Sequence, residues 1–220
     1  MSKLAPSLML DFGGTGERRL EAIPGHEAHR YLLDGHYAKR LPSISYAWGL
    51  FRGPQMDGVV CYGTPASAPL RSGVCGPNMA DRVLELNRLF LVENRKFDAG
   101  WLVAHSLRLL PRPSVVVSYA DTSQGHVGTV YRATNWIYCG LSEKRTDWTI
   151  RGREHLHGHT IADEFRGSAN RAQSMREKYG DDFFLRPRPR KHRFVFFVGS
   201  HKERREMRAQ LRWQAQEAAA

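Results

Sequence analysis

Apolar residues recur along this chain in two rhythms. Runs of four to eight mark strands, and positions one turn apart mark helices. Residues 8–12, closed by Gly13-Gly14, predict a first strand. Residues 24–40 predict a helix, with Pro24 near its start and Leu32, Leu33 and Tyr37 at one-turn spacing. Residues 45–51 and 57–62 predict two strands joined by the turn Arg52-Gly53-Pro54-Gln55. Residues 63–76 are rich in Pro, Ser, Ala and Gly and read as a long loop, a kind of segment that is often functional. Residues 82–91 read as a strand in which Val83, Glu85, Asn87 and Leu89 alternate with Leu84, Leu86, Arg88 and Phe90. That alternation puts Glu85 and Arg88 on opposite faces.

The second half continues the pattern. Residues 98–110 predict a helix stopped by Pro111, and 114–119 a β-branched strand. Residues 128–138 read as helix, 146–151 and 194–198 as strands, and 202–216 as helix. Residues 152–185 are polar and irregular, with a helix over 169–178. A hairpin followed by strand, helix, strand and helix predicts an α/β (α+β) fold, a mixed central sheet flanked by helices. The order resembles the GNAT acyltransferase superfamily. It implies a GNAT-like catalytic domain over residues 1–185 and a basic C-terminal strand and helix, 186–220, packed on or flanking it.

Composition narrows the function classes. With 220 residues the chain suits one large domain and needs no disulfide frame. No run of 18 apolar residues exists and the N-terminus lacks an apolar signal core, so no membrane span is expected. Three cysteines without a CxxC pair suit a reducing, cytoplasmic setting. The net charge is +11, and from Arg186 onward ten basic residues face three acidic ones. A phosphate backbone is then the leading partner, above all double-stranded DNA. The run Arg186-Pro-Arg-Pro-Arg-Lys-His-Arg193 cannot be helical and reads as an extended basic arm.

Four segments carry candidate chemistry. The densest is SYADTSQGHVGTVY, residues 118–131, which begins where a buried strand ends. Ligands in open α/β sheets bind at such exits. Asp121 stands there, as a base or as a cap for the following turn. Tyr131 follows, facing either the site or the core. His36 and Tyr37 close the first helix and point about 100° apart, so they cannot both face the core. Arg88 lies mid-strand, where a charge is either exposed or serves a site. His155-Leu-His157-Gly-His159 would align three imidazoles for a metal if it were a strand, but Gly158 and the neighbouring charges favour a loop facing DNA.

Together, GHYAKRLPSISYAWGLF, VVCYGTPASAPLR, VLELNRLFLVEN, VSYADTSQGHVGTVYRATNWIYCG and KRTDW resemble the phage Mom family of DNA-modifying proteins. The resemblance runs from about residue 8 to residue 166. It implies conversion of adenine in phage DNA to its N6-carbamoylmethyl (acetamido) derivative, which shields the DNA from host restriction, in the cytoplasm of the host cell. It also implies iron. His36 and Tyr37 match the family's His-Tyr pair and become the metal candidates; with Arg88, Asp121 and Tyr131 they form the candidate active site. The target base would be flipped from the duplex. Lys144, Arg145, Arg151, Arg153, Arg188, Arg190, Lys191 and Arg193 become candidates for phosphate contact. The junction Glu93-Asn-Arg-Lys-Phe-Asp-Ala-Gly100 departs from the glycine-rich CoA loop of acyltransferases, which argues against acetyl-CoA. Arg95 and Lys96 there are candidates for holding another anionic donor. Two other readings stand beside this one: an N-acyltransferase acting on a small amine or protein, and a basic DNA-binding protein without enzymatic activity. The donor and the oligomeric state, a homodimer included, stay open.

Overall fold

Val59, Val60, Cys61 and Tyr62 are fully buried, because the strand that they form is covered on both faces. The computed structural model describes residues 18–35, 42–65, 67–156 and 158–216. In chain order the elements are β1 (Arg18–Ala22), α1 (Gly25–Gly35), β2 (Tyr46–Arg52), β3 (Gln55–Gly63), α2 (Ala68–Cys75), β4 (Val83–Leu91), α3 (Asp98–Arg108), β5 (Ser114–Asp121), α4 (Thr129–Ala133), β6 (Ile137–Leu141), β7 (Arg145–Ile150), α5 (Gly158–Asp163), α6 (Arg171–Tyr179), β8 (Phe183–Arg188), β9 (Lys191–Val198) and α7 (His201–Ala209). They make a mixed α+β fold. Seven strands form one sheet in the order β1-β2-β3-β4-β5-β9-β6, and β7 and β8 form a separate antiparallel pair. The β1–β2, β2–β3 and β3–β4 pairs are antiparallel, and β4–β5 is parallel.

The chain divides into two compact units: residues 1–120, 127–140 and 192–220, and residues 121–126 and 141–191. In the first, α3 lays Leu102, Val103 and Leu107 on Trp48, Leu50, Val60, Tyr62 and Val116, with Val130 and Tyr131 of α4 on the same cluster. On the opposite face, α1 seats Ala28 and Leu32 on Ala47, Val59 and Cys61. Further along that face, Val74 and Cys75 of α2 and Met207 of α7 meet Val115, Val117, Val195 and Phe197. In the second unit, Ile150, Ile161, Met175 and Phe183 form a small core of their own.

Several elements differ from the sequence expectation. The strand expected over 8–12 lies outside the described residues, as does the end of the first helix past Gly35. The loop expected over 63–76 contains α2, because Ser67 caps it by accepting from the Leu70 amide and Pro sits at the helix start. The helix expected over 128–138 stops at Ala133; Asn135 turns left-handed at φ 61° and the chain enters β6. The polar segment 152–185 holds α5 and β8 besides α6. The arginine–proline run is extended but not free: Arg186 and Arg188 pair in register with Asp147 and Arg145. The terminal helix ends at Ala209.

The start of α3 is fixed by a buried charge. Asp98, with its side chain 1% exposed, accepts from Arg52 Nη2 through both carboxylate oxygens at 2.7 and 2.8 Å, and pairs with Arg18 at 3.1 Å. Arg52 also donates to Asp57 at 2.7 Å. These bonds tie the helix to β1, β2 and β3. Removing one partner of a buried ion pair leaves the other desolvated and uncompensated, at a cost of about 3 kcal/mol. Asp98→Ala should therefore lower the melting temperature by about 6–12 °C, scaled for a chain of this size; thermal unfolding followed by circular dichroism measures it.

Candidate active site

The β4–β5 ladder is short. It runs through three pairs, Val83–Val115, Leu84–Val116 and Glu85–Val117, and ends there although β4 continues to Leu91 and β5 to Asp121. Immediately past it, the buried Ser118 hydroxyl donates to the Leu86 carbonyl at 2.8 Å, taking the place of a backbone rung. The same hydroxyl bonds Tyr131 Oη at 2.8 Å. Tyr131 packs between Trp136 and Phe194, with ring centroids 5.1 and 5.0 Å away. Gly128, at φ 78°, starts α4 against the Phe194 ring; a Cβ there would lie 2.3 Å from it. Close packing thus holds Tyr131 over the point where the strands part.

A β-bulge decides where Arg88 points. Cys61 pairs with Arg88 but Tyr62 pairs with Leu86, so Asn87 is the extra residue. Side-chain alternation shifts by one across it. Leu84, Leu86, Leu89 and Leu91 all reach the α3 face, and Phe90 reaches the α1 face. Arg88, opposite Cys61, shares the α1 face with Glu85, which corrects the opposite-face assignment made from simple alternation. Arg88 Nη1 donates to the Asn87 carbonyl at 2.6 Å. Burial pushes the facing Cys61 thiol up to about 12, so it stays protonated despite the guanidinium. Asn87 Nδ2 donates to the Ser43 carbonyl at 2.8 Å, while its buried Oδ1 has no hydrogen-bond partner among the described residues. Asn87 is an acceptor that sequence reading missed, since the bulge exposing it leaves no signal in composition. Arg88 and Tyr131 therefore approach β4 from opposite faces, beside the opening between β4 and β5.

Asp121 is the last residue of β5 and belongs to the second unit. It accepts from the Ser123 hydroxyl at 2.6 Å and the Ser123 amide at 3.0 Å, and pairs with Lys191 at 3.2 Å. Partial burial alone would push its carboxyl up. The Ser123 bonds and the Lys191 ammonium outweigh burial and hold it below the usual carboxylate range. Asp121 is thus both cap and ionised acceptor. His36 and Tyr37 lie outside the described residues.

The remaining candidates separate into occupied and open groups. Arg188 grips Asp147 through Nε at 3.0 and 3.1 Å, and Arg190 donates to the Ser142 and Leu141 carbonyls. Arg193 donates to the Cys139 carbonyl at 2.8 Å and stacks over Trp213. These are structural uses. Lys144, Arg145, Arg151 and Arg153 are exposed, the last three in loose ion pairs of 3.7–3.9 Å with Glu143, Asp182 and Glu164. Arg95 pairs with Glu93 at 2.7 Å, and Lys96 sits over the exposed Phe97 ring. His155 is exposed in a turn and Gly158 opens α5, while His157 lies outside the described residues.

The sequence model of the Mom protein family matches residues 17–217. The chain belongs to the Mom protein family. A relative, "Methylcarbamoylase mom" of Escherichia phage Mu, is 28% identical over 195 residues, covering 79% of this chain and 76% of its own. In this Mom-family chain, the parting of β4 from β5, the Asn87 bulge with Arg88 beyond it and the Tyr131–Ser118 bond lie within the matched span. No helix among the described residues is long and apolar enough to cross a membrane.

Lys191→Met removes the charge facing Asp121, so the Asp121 pKa should rise, and carboxylate NMR titration measures it. The folded pKa is depressed, so the pair's stabilisation is complete above the unfolded value of about 3.9 and lost as pH falls through the folded one. The stability difference between wild type and variant should accordingly be present at pH 7 and vanish in acid.

Proposed function

We propose that this chain modifies DNA, converting adenine to its N6-carbamoylmethyl derivative and so protecting phage DNA from restriction. Membership of the Mom family, with a named methylcarbamoylase aligned over three quarters of both chains, carries this reading. An antiparallel hairpin leading into a parallel β4–β5 pair that parts early also supports a GNAT-like fold.

The exocyclic amine of adenine is a weak nucleophile, because its lone pair is delocalised into the ring. Its attack forms the N6–CH2 bond, breaks the bond from that carbon to the donor's leaving group, which departs with the electron pair, and releases a proton from N6. Asp121, ionised at neutral pH, accepts the N6 hydrogen bond and then that proton. Tyr131 gives its proton to Ser118, which itself donates to Leu86, so the phenol oxygen accepts an N–H of the transferred amide. Arg88 holds the transferred group or its donor, and the Asn87 acceptor orients an N–H. The duplex would present the base by flipping it out. Lys144, Arg145, Arg151 and Arg153 contact phosphates. Arg95 and Lys96 take an anionic donor, and the junction without the glycine-rich loop argues against acetyl-CoA.

His36 and Tyr37 are N and O donors of the kind that suit iron, which would supply electrophilic or redox chemistry. Among the described residues, no group of three or more His, Cys, Asp or Glu is placed to hold a metal. Iron would therefore depend on residues outside them, and no step is assigned to it.

Expression of the chain in bacteria, followed by nucleoside mass spectrometry of cellular DNA, tests the reading. Deoxyadenosine heavier by a carbamoylmethyl group in place of hydrogen is expected. Unaltered nucleosides despite DNA binding would indicate a binding protein, and acyl transfer from acetyl-CoA to an amine would indicate an acyltransferase; either result overturns it.

A further inference from the structure

The first unit carries a broad groove of about 1510 Å³, lined by α3 and α4, by the last half of β9 and by α7. Its lining contains seven arginines and one lysine, and no Asp or Glu. Arg18 is committed to Asp98, and Arg95 and Lys96 are the donor candidates named above. Five further cations remain: Arg108, Arg112, Arg204, Arg205 and Arg208. All five are exposed, and none makes a salt bridge among the described residues. Such unbalanced like charge costs stability through mutual repulsion unless a polyanion neutralises it.

The local sequence explains the clustering. In α7, positions 201, 204, 205 and 208 fall on one helical face, the i, i+3, i+4, i+7 spacing. Met207, on another face, anchors the helix to the core. Ser200 and Glu203 form a capping box, so Glu203 is turned back to the helix start and away from the stripe. Arg204 and Arg208 are one turn apart, about 6 Å along the axis. Each strand of a duplex presents a phosphate about every 3.4 Å of its axis, so the stripe spans about two phosphates.

We infer that this groove, with the Arg204, Arg205 and Arg208 stripe at its edge, is a phosphate-backbone track for duplex DNA. The inference rests on DNA being the substrate proposed above. It adds cations of the first unit to Lys144, Arg145, Arg151 and Arg153 of the second. The groove floor is open and mixed with Phe97, 71% exposed, and Trp101, so it accepts a long ligand that extends beyond it. Its contacts are to phosphate and carry affinity, not base identity.

Fluorescence anisotropy of a labelled duplex across a salt series tests this with the full chain. Replacing Arg204→Gln, Arg205→Gln and Arg208→Gln together should make the slope of log K against log salt shallower by about 2.7, and weaken low-salt binding at least ~10-fold. A charge-matched control, Arg30→Gln, Arg176→Gln and Arg186→Gln, should change the slope by less than half as much. Melting curves check that both variants fold. An unchanged slope in the stripe variant overturns the inference, as does an equal change in the control. A stripe variant that keeps wild-type DNA binding but loses adenine modification would assign the groove to a small anionic donor instead, and also overturns it. The readout is binding alone, so unmodified adenine in cells would refute the proposed chemistry and leave this test standing.

Discussion

The early end of the β4–β5 ladder is the constraint on which the site depends. Two parallel strands that share a sheet normally keep exchanging backbone bonds, because an orphaned buried carbonyl costs about 1–3 kcal/mol. Here the exchange stops after Glu85–Val117, and Ser118 takes over the Leu86 carbonyl with its hydroxyl. That one side-chain bond satisfies the acceptor and lets the strands part. It also docks the Tyr131 phenol at the fork. On the other strand the Asn87 bulge turns Arg88 to the α1 face. Bond, bulge and stacked tyrosine are three parts of one local departure from regular sheet geometry.

Charge is used for two different purposes. Inside the fold it is matched: Asp98 with Arg52 and Arg18, Asp147 with Arg188, Asp121 with Lys191. On α7 it is left unmatched. The net charge of +11 therefore overstates some regions and understates others as a guide to nucleic-acid contact. The basic proline run looks like the obvious arm, yet Arg188, Arg190 and Arg193 are occupied by a carboxylate and backbone carbonyls. A cation counts toward affinity when folding leaves it exposed and at most loosely paired.

Much of this fold was legible in the sequence wherever burial sets the pattern. The β2–β3 hairpin, β4, α3 and β5 follow apolar periodicity to within two or three residues. What escaped was set by caps and backbone sign. Helix α2 hides in a Pro, Ser and Gly composition, because a Ser67 cap and an N-terminal proline make that composition helical. Helix α4 is cut short by a left-handed Asn135, which no periodicity announces. The facing of Arg88 was misjudged because alternation assumes an unbroken strand. Of the candidate site, Asp121 and Tyr131 could be located from strand exit and helix start, but Asn87 and the Ser118 rung depend on pairing between strands distant in sequence.

In the proposed function adenine chemistry falls to Asp121 and affinity to the basic surfaces, so the most direct measurement separates the two. Asp121→Asn keeps shape and much of the capping geometry but removes the ionised acceptor. Modified deoxyadenosine from cells producing this variant should fall at least ~100-fold below wild type, the low end of general-base contributions, while the purified variant binds duplex DNA with unchanged salt dependence. Wild-type levels of modified adenine in the variant would contradict the account.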